Sequence, residues 1–318
     1  MKLSLIIPFF NEEENIQLLI DAIQQAVKPL GLPYELVFVN DGSTDKSQAI
    51  IEENLVDPSQ HIKIIELMRN YGQTAAIAAG IDNSDGEIII LLDADLQNDP
   101  ADIPLLLEKL EEGYDVVSGW RKNRRDNFLL RTLPSRIANG LISNVTGLKL
   151  HDYGCTLKAY RRKYLSKFRL YGEMHRFIPV YAQDSGAKVT EGVVNHHPRT
   201  RGKSKYGLDR ILKVILDLIT VKFLMSYSAK PMRFFGGAGL GLMLLSSAIL
   251  VFLALRRIIF STSVMNSPFF AISSIMFIMG FFSLSFGLIA ELLIRTYFES
   301  QGKSTFAIRS IIESEGEK

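Results

Sequence analysis

The sequence predicts an α/β protein, with a mostly parallel sheet covered by helices on both faces and a C-terminal pair of membrane-spanning helices after it. Two observations point to the sheet. Short apolar runs alternate with stretches of helical spacing, the β-α-β-α order that builds parallel sheets, and polar residues gather where each apolar run ends. A third observation points to the membrane. Residues 234–255 and 258–290 carry no charge, and each run exceeds the about 20 apolar residues that span a hydrocarbon core as helix.

The apolar runs at 3–7, 35–39, 62–66, 87–92 and 115–119 read as strands, and residues 12–28, 44–54, 73–83 and 100–112 as the helices between and after them. Pro8, Phe10, Asn11 and Glu12 follow the first strand, Asn-Asp-Gly-Ser-Thr-Asp (40–45) the second, Asp93, Asp95 and Gln97 the fourth, and Trp120 and Arg121 the fifth. Each group has a plain reading of its own. Ser43 or Thr44 suits a helix cap in a turn, Glu12 to Glu14 suit a helix N-terminus, and the loop after Asp95 could simply cap the helix near Pro100. Together they fall at one edge of the sheet, beyond the carboxyl ends of the strands, where open α/β sheets bind ligands. Asp93 and Asp95 are hard oxygen donors spaced to hold Mg²⁺ or Mn²⁺ carrying substrate phosphates.

Arginine and lysine crowd two later segments: Arg121, Arg124, Arg125, Arg131 and Arg136, then Arg199, Arg201, Lys203 and Lys205. A planar guanidinium fits phosphate oxygens; the same residues could instead lie against anionic headgroups, at about 1 kcal/mol each. Asp152, before Gly154, is either a base or orienting group or a turn residue. Leu208, Ile211, Leu212, Ile215, Leu218 and Ile219 recur at helical spacing, so residues 207–230 read as an interfacial amphipathic helix or as a core-facing one.

Positive residues flank the spans (Lys222, Lys230, Arg233; Arg295, Lys303, Arg309), against Arg256 and Arg257 in the connecting loop, which favours both ends in the cytoplasm. Gly237 and Gly241 are spaced for close helix packing within or between chains. Lys and Arg number 36 against 34 acids, a net +2 that gives no reason to expect nucleic acid. The single Cys155 excludes an internal disulfide, and the early glutamates argue against a secretory signal. Adjacent His196 and His197 do not face one way, so no zinc site is expected. No GxGxxG follows the first strand, and no GxxxxGK[ST] occurs.

The segments SLIIPFFNEEENI, VFVNDGSTDKS, LMRNYGQTAAIAAGI, LLDADLQNDP, DYGCTLKAYRR and PRTRGKSKY follow one another through residues 4–206. In these the chain resembles glycosyltransferase family two. More narrowly it is similar to polyprenyl-phosphate glycosyltransferases of the dolichol-phosphate-mannose synthase type, and most of all to bacterial bactoprenol glucosyltransferases. The QxxRW signature of processive polysaccharide synthases is not found.

The resemblance implies a GT-A-like, nucleotide-sugar-binding catalytic domain over 1–206, an interfacial region over 207–230, two transmembrane helices within 231–296 and a cytoplasmic tail over 297–318. Pro8, Phe10 and Glu12 would line the nucleotide pocket and Asp41 would bond the base, with Asp93 also on the nucleotide sugar. Asp93, Asp95 and Gln97 would hold the metal. The catalytic set would be Asp93, Asp95, Arg121 and Asp152, while Arg121, Arg131, Ser135, Arg199, Arg201, Ser204 and Lys205 would hold the acceptor phosphate. The activity implied is inverting transfer of a hexose, glucose from UDP-glucose first among them, onto undecaprenyl phosphate at the cytoplasmic face of the plasma membrane. The chemistry is coherent. A divalent ion offsets charge on the departing diphosphate, and a phosphomonoester with a second pKa near 6 needs little help to attack. GDP-mannose or a modified UDP-sugar is the alternative donor, and a non-catalytic membrane scaffold with a vestigial pocket the alternative of another class.

Overall fold

The structure is a computed structural model that describes residues 2–56, 61–122, 139–140, 142–144, 146–165, 170, 174–198, 231–260, 264, 267–299 and 306–314. The chain forms two compact units, Met1–Val221 with Ser304–Lys318, and Lys222–Lys303.

The first unit is built on an eight-stranded sheet. In chain order its strands are β1 (Leu3–Phe9), β2 (Tyr34–Asn40), β3 (Ile62–Leu67), β4 (Ile88–Leu91), β5 (Val116–Trp120), β6 (Lys158–Arg161), β7 (Val189–Val193) and β8 (Ile308–Glu313), and across the sheet they run β7-β5-β6-β4-β1-β2-β3-β8. Strands β4, β1, β2 and β3 pair in parallel. β6 lies antiparallel between β4 and β5, and β7 is parallel to β5. All strands except β6 and β8 therefore point the same way. That is why the segment after β5 reaches the same edge as the segment after β4 although the two strands do not touch.

Helices cover both faces, as strands apolar on both sides require. Leu3, Leu5 and Ile7 of β1 pack on one face with α1 (Ile16–Val27) and α4 (Ile103–Glu111); Ile6, Val37 and Ile65 pack on the other with α3 (Gln73–Asp82) and α5 (Ile178–Asp184). This is the period-two alternation of a strand read out as two cores. The stripe Ile16, Leu19, Ile20, Ile23 and Val27 gives α1 its buried face. α2 (Ser47–Asn54) follows the turn after β2.

The four strands β1 to β4 and the strand β5 lie within a residue or two of the positions read from the sequence. Within the tail expected over 297–318, Ile308–Glu313 is an edge strand, antiparallel to β3. Its alternate residues are half-buried, and Arg309 Nη1 meets Glu66 Oε1 at 2.6 Å. Pairing with β3 supplies the ladder that an isolated six-residue segment lacks. The expected amphipathic helix over 207–230 lies outside the described residues.

In the second unit α6 (Pro231–Phe260) and α7 (Pro268–Glu299) pack as a hairpin. Their spans Phe235–Ile259 and Pro268–Ala290 are long and apolar enough to cross a membrane. Side chains such as Leu244 and Ile258 are more than two-thirds exposed, an arrangement suited to lipid rather than water. The glycine at the crossing is not one of the expected pair. A Cβ on Gly239 would sit 2.6 Å from Gly280 O, whereas Gly237 and Gly241 meet nothing within 4 Å. Ser283 Oγ donates to Phe235 O at 2.9 Å and ties the two helices.

Candidate active site

The site lies at the carboxyl edge of the sheet. After β1, Asn11 adopts a left-handed backbone, φ 55°, a conformation asparagine tolerates. The chain there locks onto the loop after β2: Asn11 N donates to Ser43 Oγ (3.0 Å), Thr44 N to Asn11 Oδ1 (2.8 Å) and Glu12 N to Ser47 Oγ (2.8 Å). Glu12 Oε2 accepts from Asn15 Nδ2 at 2.7 Å. Pro8 is buried and Phe10 half-buried at the mouth of this corner.

Asp41 is buried, and its carboxylate accepts backbone N–H bonds from Tyr71 (2.7 Å) and Gly72 (2.9 Å). Burial raises its pKa and the two amide bonds work against that rise. Each oxygen keeps a second acceptor direction, so fastening the loop after β3 does not exhaust the group. Gly42 beside it has φ 76°, and a Cβ there would lie 2.7 Å from Arg69 C and Asn70 N. Only glycine lets these two loops come so close.

The centre of the edge is Asp93. Its Oδ1 accepts from Gln73 Nε2 and its Oδ2 from Thr156 Oγ1, both at 2.6 Å. Burial, then the neighbouring Asp95, push its pKa up to about 6, against the pull of Thr156, Arg121 and Lys158. Asp95 Oδ1 accepts from Gln97 N at 3.2 Å. Leu96 between them is left-handed, φ 56°, a conformation strained by about 1–2 kcal/mol for a residue with a Cβ. The turn at Leu96 sets the position of Gln97, half-buried directly after the two carboxylates. Two carboxylates whose charges oppose each other in a partly dry corner, with an amide next to them, make a hard-oxygen donor set that a divalent cation would relieve. Among the described residues no third His, Cys, Asp or Glu joins them.

Arg121 and Asp152 face each other in a two-pronged ion pair, Nε to Oδ2 at 2.7 Å and Nη2 to Oδ1 at 3.0 Å, with side chains 10% and 4% exposed. Asp152 Oδ1 also accepts from Gly154 N (3.0 Å). A carboxylate so tied orients the arginine. Trp120 stacks on His151 at 4.1 Å, and His151 Nδ1 meets Glu191 Oε2 at 2.7 Å.

Several neighbours were not singled out in the sequence: Gln73, Thr156, Lys158, His175 and Arg176. Thr156 and Lys158 lie inside the DYGCTLKAYRR segment, and their place at the edge follows from the antiparallel insertion of β6. The buried Cys155 thiol, pushed up to about 12 chiefly by burial, donates to Asn98 Oδ1 at 3.3 Å. After β7 the chain returns to the same loop: His197 N donates to Gln97 O (2.9 Å), and Asn98 and His196 form a bridge. Arg131, Ser135, Arg199, Arg201, Ser204 and Lys205 lie outside the described residues.

Comparison with known proteins gives this edge its context. Residues 4–169 match glycosyl transferase family 2. Dodecaprenyl-phosphate galacturonate synthase of Rhizobium johnstonii is 40% identical over 320 residues, covering 100% of this chain and 95% of the relative. Undecaprenyl-phosphate 4-deoxy-4-formamido-L-arabinose transferase of Yersinia pestis is 37% identical over 315 residues, covering 99% and 94%. A mycobacterial protein of solved structure superposes with a TM-score of 0.52 at 18% identity, over 70% of this chain and 74% of that one. Glucosyl-3-phosphoglycerate synthase from Mycobacterium tuberculosis, crystallised with Mg²⁺ and uridine diphosphate, gives 0.50 at 19% identity, over 70% and 79%. These likenesses fix the fold as GT-A-like. By sequence and by fold the chain belongs to glycosyl transferase family 2, where its full-length relatives are polyprenyl-phosphate sugar transferases.

Proposed function

We propose that this glycosyltransferase moves one sugar from a nucleoside-diphosphate donor, a UDP-sugar, onto polyprenyl phosphate at a membrane surface. The observation that carries the reading is the Asp93–Asp95 pair, held at the open edge of the sheet with Asp93 raised to about 6 by burial and by its neighbour. In the reaction an oxygen of the acceptor phosphate attacks the anomeric carbon, and the bond from that carbon to the β-phosphate oxygen breaks. The nucleoside diphosphate leaves with the electron pair. The attacking oxygen is already ionised, so no proton need move, and the ion-paired Asp152 is not called on as a base.

Mg²⁺ or Mn²⁺ held by Asp93, Asp95 and Gln97 would offset the charge of the departing diphosphate. The chain's own groups do the positioning. Gln73 and Thr156 fix the Asp93 carboxylate, Pro8, Phe10, Glu12 and Asp41 frame the nucleotide, and Arg121, oriented by Asp152, faces the acceptor phosphate. Arg199 and Arg201 follow within four residues of His197, which is bonded to Gln97; this short tether supports a role for Arg199, Arg201, Ser204 and Lys205, with Arg131 and Ser135, in gripping the acceptor.

The lipid acceptor agrees with the apolar hairpin and with the relatives' names. β8 follows the hairpin in the chain and pairs with β3, which supports a reading with two crossings and with the catalytic domain and the tail in one compartment. The flanking cations support the cytoplasm as that compartment. The 207–230 segment would lie in the headgroup plane. Glucose from UDP-glucose, expected from the sequence, is the neutral choice of sugar, whereas the relatives named above use galacturonate and 4-deoxy-4-formamido-L-arabinose. The test is incubation of full-length protein with polyprenyl phosphate, Mg²⁺ and a panel of UDP- and GDP-sugars, with the lipid product weighed. Transfer that stops with EDTA or with Asp95→Ala supports the reading; full turnover in metal-free buffer refutes the metal, and no sugar-phospholipid product refutes the reaction.

A further inference from the structure

The turn that carries the candidate metal ligands is strained and leaves its own strand early. β4 ends at Leu91, and Leu96, between Asp95 and Gln97, holds a left-handed backbone at φ 56°. A residue with a Cβ keeps that conformation only where its surroundings over-determine it. Asp93 has Gln73 and Thr156 to hold it. Within the turn, Gln97 N donates to Asp95 Oδ1 at 3.2 Å. That bond spans two residues and cannot by itself set where the turn stands on the sheet.

The outside hold comes from the residues that follow β7. Val194 N donates to Trp120 O at 3.0 Å, next to Arg121. Asn195 then meets both oxygens of Asp102, N to Oδ2 at 2.6 Å and Nδ2 to Oδ1 at 2.9 Å. Asn98 and His196 form a bridge. His197 N donates to Gln97 O at 2.9 Å, and His197 Nε2 donates to Asp99 Oδ2, also at 2.9 Å. Asp102 is 9% exposed and directly precedes α4, while the Asp99 side chain caps the short helical turn Pro100–Asp102 by accepting from Ala101 N. Residues 194–197 thus form a strap from the end of β5 to the metal turn, pinned to two carboxylates at the start of a helix. A carboxylate as buried as Asp102 needs such bonds, and both of these go to the strap.

Resting on the transfer reading, in which Gln97 is a metal ligand, we infer that Asn195 and His197 are positioning residues for that metal. Anchored on Asp102 and Asp99, they hold the Gln97 backbone and so set how tightly the cation is bound. Released from the strap, the turn relaxes its strain at Leu96 and Gln97 loses its fixed place. Metal binding then has to restore that place, and the affinity falls by the cost of doing so. Residues that steady a ligand from behind ordinarily change metal affinity by about 10–100-fold when removed. Neither Asn195 nor His197 touches the diphosphate or the acceptor in this scheme; both act through Gln97.

Mn²⁺ binding to the full-length protein with UDP is followed by the electron paramagnetic resonance signal of free Mn²⁺, a readout that needs no transfer. Asn195→Ala together with His197→Ala should weaken Mn²⁺ binding about ten-fold. Replacing His197→Ala by His197→Gln, which keeps a donor for Asp99, should restore part of the loss. Gln97→Ala should weaken binding to a similar extent, and adding the strap changes to it should weaken binding little further, because the strap acts through that residue. Both strap residues are exposed; if the paired variant fails to fold, Asn195→Ala alone decides, at about three-fold. Unchanged Mn²⁺ affinity in the strap variant, whatever its urea midpoint, makes the strap a purely structural tie and overturns the inference. Losses that multiply with that of Gln97→Ala mean that the strap acts elsewhere and also overturn it. Sugar transfer to polyprenyl phosphate is measured in parallel: transfer with a flat Mn²⁺ response removes the inference alone, whereas the expected Mn²⁺ response without transfer upholds the strap and removes the transfer reading.

Discussion

Asp93→Asn tests the electrostatic core of the site in a way activity alone does not. The ordinary carboxyl pKa of 3.8 rises to about 6 at this position, through burial first and Asp95 second. The folded protein thus binds this proton more tightly than the unfolded chain. The contribution to stability is present below about pH 4 and is lost as the pH rises through about 6. Two units at 1.36 kcal/mol each give about 3 kcal/mol as an upper bound on the penalty of ionised Asp93 near neutral pH. Asparagine is nearly isosteric, can accept from Gln73 through Oδ1 and can donate to the Thr156 hydroxyl, so the local bonds survive in kind. In EDTA at neutral pH the variant should therefore be more stable by about 1–3 kcal/mol. At roughly 2–4 °C per kcal/mol for a unit of this size, the apparent Tm rises by about 2–12 °C. The gain should vanish near about pH 4, where both forms are neutral. Added Mg²⁺ should stabilise the native chain and not the variant. A variant melting at or below the native temperature in EDTA at neutral pH, or one keeping the full Mg²⁺ shift, would refute the reasoning.

Further expectations concern the frame around the site. Asp152→Ala leaves Arg121 buried without its partner and should destabilise the catalytic unit by about 3–5 kcal/mol, read as a lower urea midpoint; an unchanged midpoint with lost activity would make Asp152 purely catalytic. Gly42→Ala combines a left-handed backbone with a 2.7 Å approach to Arg69 and should cost about 1–3 kcal/mol, again by urea titration. Ile312→Pro removes a donor from the β8–β3 ladder, so amide exchange over residues 62–67 should quicken by about ten-fold or more, and unchanged protection would mean that β8 does not hold the sheet edge.

The site was legible where chemistry is written into adjacent residues. Asp93, Asp95 and Gln97 sit in one turn after one apolar strand, and strand direction alone sends them to the same edge as Glu12, Asp41 and Arg121. β6 was not read because four residues that include Lys158 and Arg161 carry no strand signal of their own; β4 and β5 make them a strand by pairing on either side. The same holds for β8, whose alternation is too short to stand without β3. Asp152 read as base, orienting group or turn residue in the sequence, and only the tertiary contacts show its two oxygens clasping Arg121 while one also accepts from Gly154 N.

The sequence by itself determined what depends on neighbours along the chain: the strand and helix order, the carboxylate turn, and two uncharged runs that only lipid or a core can accept. The tertiary structure alone decided what depends on distant segments meeting. It placed Thr156 on Asp93 and Asp152 on Arg121, returned the chain's end to the sheet, and buried Lys158 near the carboxylates. The physical reason is that backbone preference and hydropathy act over a few residues, whereas burial, which sets charge, pairing and pKa at this site, depends on contacts across tens to hundreds of residues.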